Sequence, residues 1–305
     1  MNNKILVVSK YIDPCSDWGF KRIFGTDANK DLLIAFLNAI FEGGKQIKNI
    51  DFNKNEHKGN THNDRNVIYD ISCKDDKNEL FILEMQRKRH KNFEDRAVYY
   101  ACRCISDQAP NLQGSGWEYD LKKVYMIGIL DNFVLKYSRE ALYFHDACVI
   151  DRGTDDLVSN KFWCIFIELL NFKKSDSDLD NQLDKWLYAL KNMSKMDEIP
   201  VCLQQPIFKK LFNIAAYANL TKEEQMSYDQ DLKNKWDNYS ALSYATKTGI
   251  EQGIEQGIKQ GIEQGIEQGE RRKAISIACE LKKMGLPLDQ IANAIKLPIE
   301  EIPNL

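Results

Sequence analysis

Asp70 and the pair Glu84 and Gln86 are the residues of this chain whose types and spacing point to chemistry. They lie in NVIYDISCKDDKNELFILEMQRK, residues 66–88, where two alternating runs flank a polar turn at residues 74–79. Alternation gives each run two faces. Val67, Tyr69, Ile71 and Cys73 share one side of the first run, and Ile68, Asp70 and Ser72 share the other. In the second run Phe81, Leu83 and Met85 oppose Leu80, Ile82, Glu84, Gln86 and Lys88. A one-residue slip would flip every side chain, so matching the apolar sides requires Cys73 opposite Phe81 and Ile71 opposite Leu83. Asp70 then faces Glu84, and directly opposed Cβ atoms lie roughly 4.5–5.5 Å apart. Two carboxylates at that distance need a cation or a shared proton. Hard oxygen ligands facing each other suit Mg²⁺, or Mn²⁺, which keeps waters and takes phosphate oxygens. Such an ion activates water and stabilises charge on a phosphodiester. The plainer reading is a pair of solvated acids on the wet face of a hairpin. Against it, Ile68, Leu80 and Ile82 share their face.

The elements that must hold this hairpin follow from hydrophobic periodicity. DPCSDWGFKRIFG, residues 13–25, reads as a short helix capped by Ser16 or Asp17, with Asp17 and Lys21 four apart on one face. As residues alone, that pair reads as a cap and a surface ion pair. A second helix from about Asn29 buries Leu33, Phe36, Leu37 and Ile40 and stops at Gly43. Residues 47–52 read as a first strand. After the hairpin comes RKRHK, residues 87–91, either a solvated charge run or a phosphate-contacting rim. Residues 93–108 read as a helix with stripes at Ala97, Tyr100, Ala101, Cys104 and at Arg96, Tyr99, Arg103. LKKVYMIGIL, residues 121–130, reads as a buried strand. Strands are expected over 141–150 and 162–169, and helices over 178–193 and 206–220.

Length, composition and charge narrow the classes. A chain of 305 residues with 43% hydrophobic and 29% charged residues is an ordinary globular protein with room for one large domain and an appendage. A net charge of −3 gives no global attraction to nucleic acid, so phosphate binding must be local. No apolar run approaches the length of a membrane span, and the first residues carry no export signal. The eight cysteines form no CxxC pair and read as reduced thiols of a cytoplasmic protein. His57, His62, His90 and His145 show no ligand spacing.

Residues 249–268 are five copies of Gly-Ile-x-Gln. A glycine every fourth residue costs a helix roughly 1 kcal/mol each against alanine. Yet a period of four keeps glycines and isoleucines on adjacent ridges that creep about 40° per repeat. The segment 249–269 is either an oligomerisation helix or a tether. Residues 270–305 read as a helix–turn–helix-like unit, with Gly285 as stop, Pro287 as restart, and few basic groups on its outer face.

The blocks SDWGFKRIFG, LLIAFLNAIF, YDISC, ILEMQ, DRAVYYACRCISDQ and VYMIGILD, in that order, resemble the Rpn family of recombination-promoting nucleases and transposases. These are members of the PD-(D/E)XK nuclease superfamily, here in a D…ExQ variant. The resemblance covers residues 11–150 well and implies an α/β core, a mixed sheet flanked by helices, within a nuclease-like domain over 1–240. It implies an Mg²⁺-dependent DNA endonuclease acting in recombination or transposition. Asp70 and Glu84 would be metal ligands, Asp17 a further one, and Gln86 stands where lysine is usual. Glutamine orients water but brings no charge, so Lys88 or Lys21 would supply it. Gln108 is a weaker candidate, and Arg96 and Tyr99 match an RAxYY segment. DNA contacts fall to Arg87, Lys88, Arg89, Lys91 and Arg96. The alternatives are a silent DNA-binding relative and a helical scaffold built on the repeat.

Overall fold

The computed structural model describes residues 9–53, 56–57, 67–89, 92–109, 118–296 and 298. Its chain divides into two units, residues up to Lys233 and residues from Asn234.

The first unit is built on a six-stranded sheet. Its strands are β1 (Ile50–Phe52), β4 (Ile71–Asp75), β5 (Leu80–Gln86), β6 (Val124–Leu130), β7 (Phe144–Ile150) and β8 (Leu157–Glu168). They run in the order β1-β4-β5-β6-β8-β7. β4 and β5 are the expected antiparallel hairpin, with Ile71 opposite Leu83 and Cys73 opposite Phe81. β5, β6 and β8 are parallel neighbours. Parallel neighbours need a crossover, and between β5 and β6 it is α3 (Phe93–Ser106). Short β2 (Glu56–His57) and β3 (Val67–Ile68) pair apart from this sheet.

Each face of the sheet has its own core. On one side Ile71, Cys73, Phe81, Leu83, Ile127 and Ile167 pack with α1 (Asp17–Phe24), α2 (Lys30–Ile40), α4 (Gln182–Asn192) and α5 (Pro206–Ala215). Phe24, Phe36, Trp186 and Phe208 form its aromatic centre. On the other side Ile82, Met126, Leu130 and Phe166 pack with Phe93, Ala97 and Ala101 of α3. Helices on both faces explain why β6 is buried end to end.

One expectation fails. Residues 67–73 do not form a continuous strand with Tyr69, Ile71 and Cys73 on one side. Ile71 and Cys73 enter the first core, whereas Tyr69 enters the α3-side core, its hydroxyl 3.2 Å from Cys104 Sγ. The break lies at Asp70. Its N–H donates to Glu84 Oε1 (3.2 Å), and its Oδ2 accepts from Met85 N–H (2.9 Å). Side chains take over the ladder one step past Ile71, so the two-residue alternation ends there.

The helix α6 (Lys222–Lys283) is 62 residues long and carries the whole repeat. Its root belongs to the first unit, where Tyr228 is buried and stacks near Trp18. In the second unit Ala278 of α6 and Ile291 of α7 (Leu288–Ile295) form a small helix–helix core. Among the described residues, no helix is long and apolar enough to cross a membrane.

Candidate metal centre at the end of the central hairpin

The hairpin ends bring Asp70, Glu84 and Gln86 together. Glu84 and Gln86 alternate with the inward residues of β5, so both lie on the face of Ile82, under α3. Both are buried, Glu84 at 4% exposure. Gln86 Nε2 donates to Glu84 Oε2 at 3.2 Å. From the other side α1 delivers Lys21, whose Nζ lies 2.7 Å from Asp17 Oδ1 and 3.3 Å from Asp70 Oδ1. Ser16 caps this helix, accepting from Gly19 N–H. The cap leaves Asp17 as its first residue, 62% exposed, on the outer side of the same ammonium.

The electrostatics of the two acids are set first by burial. Burial, then the neighbouring Asp70 charge, push Glu84 up to about 8, against the Asp70 N–H and the cations Arg96 and Lys21. Burial also raises Asp70, opposed by Met85 N–H and by Lys21. Burial alone would lower Lys21, but Asp17 and Asp70 outweigh it and hold the ammonium charged.

The donor chemistry fits a divalent cation. The buried carboxylate of Glu84, the half-buried carboxylate of Asp70 and the amide of Gln86 converge, and a cation there would favour the charged form of both acids against burial. Among the described residues no group of three or more His, Cys, Asp or Glu is placed to hold a metal ion by itself. The set therefore suits an ion that keeps waters and takes substrate oxygens.

The remaining candidates scatter. Arg87 Nη1 binds Asp13 Oδ2 at 2.7 Å and Nη2 lies 3.2 Å from Asp131 Oδ2, so its guanidinium bridges two acids of the fold. Lys88 and Arg89 are exposed past the strand end. Lys91 lies outside the described residues. Gln108 is held away from the site, its amide exchanging bonds with the Lys122 backbone. Tyr99 is 47% exposed. Arg96 lies across the rings of Phe93 and Tyr100, 5.7 Å from each centroid. Sequence reasoning missed Gly128, which pairs with Glu84 across β5 and β6. A Cβ there would lie 2.9 Å from Phe166 and 3.1 Å from Phe93, so the glycine lets the first turn of α3 close on the sheet beside Glu84. Its place inside an apolar strand was the available signal.

No curated protein and no solved structure matches the chain. A family model described as PD-(D/E)XK nuclease family transposase matches residues 14–245, which span the sheet, both cores and the hairpin acids. With most of its length matched, and the mixed sheet flanked by helices in place, this chain belongs to the PD-(D/E)XK nuclease family transposases.

Proposed function

We propose that the chain is a divalent-metal-dependent DNA endonuclease, acting in recombination or transposition, with its reaction centre at Asp70, Glu84 and Gln86. The observation that carries this reading is the convergence at the hairpin end of Glu84, whose carboxylate accepts from Asp70 N–H and Gln86 Nε2, with the Asp70 carboxylate beside it. Asp70 and Glu84 would hold Mg²⁺ or Mn²⁺, with Asp17 reaching the same place if Lys21 swings aside. When bound, the ion supplies Lewis acidity toward water and the phosphoryl oxygens. Gln86 accepts a hydrogen bond from the attacking water and fixes its line of approach. As the new P–O bond forms, the bond to the leaving sugar oxygen breaks and that oxygen takes up a proton. Lys21 holds Asp70 in place and neutralises part of its charge. Lys88 and Arg89 contact phosphates along the strand without reading sequence.

The test is incubation of the purified chain with supercoiled and linear DNA, with Mg²⁺ or with chelator. Cleavage that needs the metal and vanishes in Asp70→Ala and Glu84→Ala supports the reading. DNA binding without cleavage in Mg²⁺ and Mn²⁺ would favour a silent DNA-binding relative.

A second reading concerns α6. Ile250, Ile254, Ile258, Ile262 and Ile266 are each 57–58% exposed, and a Cβ on the repeat glycines would meet nothing within 4 Å. An isoleucine ridge beside a glycine groove of the same pitch is self-complementary. The charged row lies roughly 150° from the middle of that face at 100° per residue. We propose that α6 pairs with α6 of a second copy. Light scattering should give a multiple of the 35.3 kDa chain mass, reverting to the monomer in Ile254→Ser/Ile258→Ser/Ile262→Ser.

A further inference from the structure

Gln86 leaves the proposed reaction centre without the fixed cation that a lysine there would bring. Lys21 does not fill the gap freely, because Asp17 and Asp70 already claim its ammonium. Lys88 is exposed beyond the strand end, and Arg87 is bound to Asp13 and Asp131. Arg96 differs from all three. It sits in the first turn of α3, on the face of the sheet that carries Glu84 and Gln86. Its guanidinium is wedged between Phe93 and Tyr100, and its Nη2 is buried with no hydrogen-bond partner.

A buried donor without a partner is costly, and in a folded protein it calls for an explanation, a catalytic role among them. Five N–H donors in a fixed fork match the oxygens of a phosphate better than any other biological anion-binding side chain does. The rings of Phe93 and Tyr100 flank the guanidinium and hold it in place. Gly128 makes the placement possible, since it lets Phe93 lie against the sheet. Glu84 itself is not the partner: it accepts from Asp70 N–H and Gln86 Nε2.

We propose that Arg96 is a catalytic residue that takes a non-bridging oxygen of the phosphodiester beside Glu84, supplying from α3 the positive charge that position 86 lacks. The proposal rests on the nuclease reading of the site. Charge on that oxygen grows as the water attacks, so the contact strengthens in the transition state. Loss of one preorganised donor of this kind costs roughly 10²–10³-fold in rate.

The experiment compares the full chain with Arg96→Gln, Arg96→Lys and Arg96→Ala. It measures single-turnover cleavage in Mg²⁺, duplex affinity in Ca²⁺, Mn²⁺ affinity by calorimetry and the melting temperature. Arg96→Gln is expected to lower the cleavage rate about 10²-fold or more, while duplex Kd rises less than about tenfold and Mn²⁺ affinity does not fall. Arg96→Lys should recover part of the rate, and millimolar guanidinium should speed Arg96→Ala but not the parent chain. Unchanged cleavage by a folded Arg96→Gln would overturn the proposal and leave the nuclease reading standing. So would a rate loss matched by an equal loss of duplex affinity, or one that guanidinium and lysine both fail to restore. A parent chain that binds DNA but never cuts it would remove the nuclease reading and the catalytic role together.

Discussion

Glu84 near the end of β5 and Glu168 at the end of β8 are buried acids on the same side of one sheet, with only β6 between their strands. Their surroundings are opposite. Glu168 accepts from Leu135 N–H at 2.8 Å, Ser138 Oγ at 2.6 Å and Asn171 Nδ2 at 2.7 Å, with His145 Nε2 at 3.2 Å. Asp184, also fully buried, is similar. Burial would raise it, but Lys174, Tyr143 and the Asp180 N–H outweigh burial and hold it below the usual carboxylate range. Glu84 accepts two bonds of 3.2 Å and shares its space with a second acid. An acid buried for structure brings its own donors. An acid buried beside another acid, and raised first by burial and then by its neighbour's charge, is a functional-site candidate.

The contrast breaks most visibly under truncation. Glu84→Ala should cut DNA cleavage by at least about 10³-fold, with the folded chain at least as stable as the parent in chelator, because a poorly compensated buried acid is gone. Glu168→Ala should do the reverse. It leaves the Leu135 N–H unpaired and takes the shared acceptor from Ser138 and Asn171, which should cost about 3 kcal/mol or more of stability, while cleavage per folded molecule is unchanged. Urea unfolding and plasmid nicking on the same samples decide it. The contrast fails if Glu168→Ala kills cleavage at full stability.

A second test uses protons. Glu84 sits at about 8 in the folded chain against an ordinary value of 4.5. Between those values the folded chain holds a proton that the unfolded chain releases. Its stabilising contribution is complete below about pH 4.5 and is lost as pH rises through about 8. The metal-free melting temperature should therefore fall more steeply from pH 5 to 8.5 in the parent than in Glu84→Gln. A cation needs the carboxylate ionised, so the stabilisation by Mg²⁺ should grow over the same interval and be absent in Glu84→Gln. Parallel curves for the two proteins would show that the Glu84 carboxyl is not raised by its surroundings.

How much of this could be read beforehand depends on the range of each interaction. The hairpin register, the two N-terminal helices and the buried β6 follow from local alternation and caps, and the structure has them. The side switch at Tyr69 was hidden because it depends on Asp70 and Glu84 replacing backbone partners, which no alternation rule encodes. Arg87 reads as the first residue of a basic run because its acids lie elsewhere in the chain, at Asp13 and Asp131. Glu168 ends an apolar strand and draws no attention until Leu135, Ser138 and Asn171 are folded around it. Arg96 could be named as a DNA contact, but its unpaired Nη2 exists only once Gly128 has let α3 close.

The finest test compares the two lysines that serve these acids. Lys174 lies 2.7 Å from Asp184 and 2.6 Å from Asp180, within a finished structural network. Lys21 lies between Asp17 and Asp70, where the proposed cation would also sit. Removing Lys174 with Lys174→Met uncovers one side of a buried acid, so stability should fall by about 1–3 kcal/mol with Mn²⁺ affinity untouched. Removing Lys21 uncovers an acid that can take a metal instead. In Lys21→Met a competing charge is gone and Asp17 is released toward Asp70, so Mn²⁺ should bind several-fold tighter. Calorimetric titration at pH 8.5, above the value of about 8 for Glu84, measures the shift. If Lys21→Met instead weakens Mn²⁺ binding tenfold, the ammonium is a structural strut like Lys174, and the difference between the two lysines disappears.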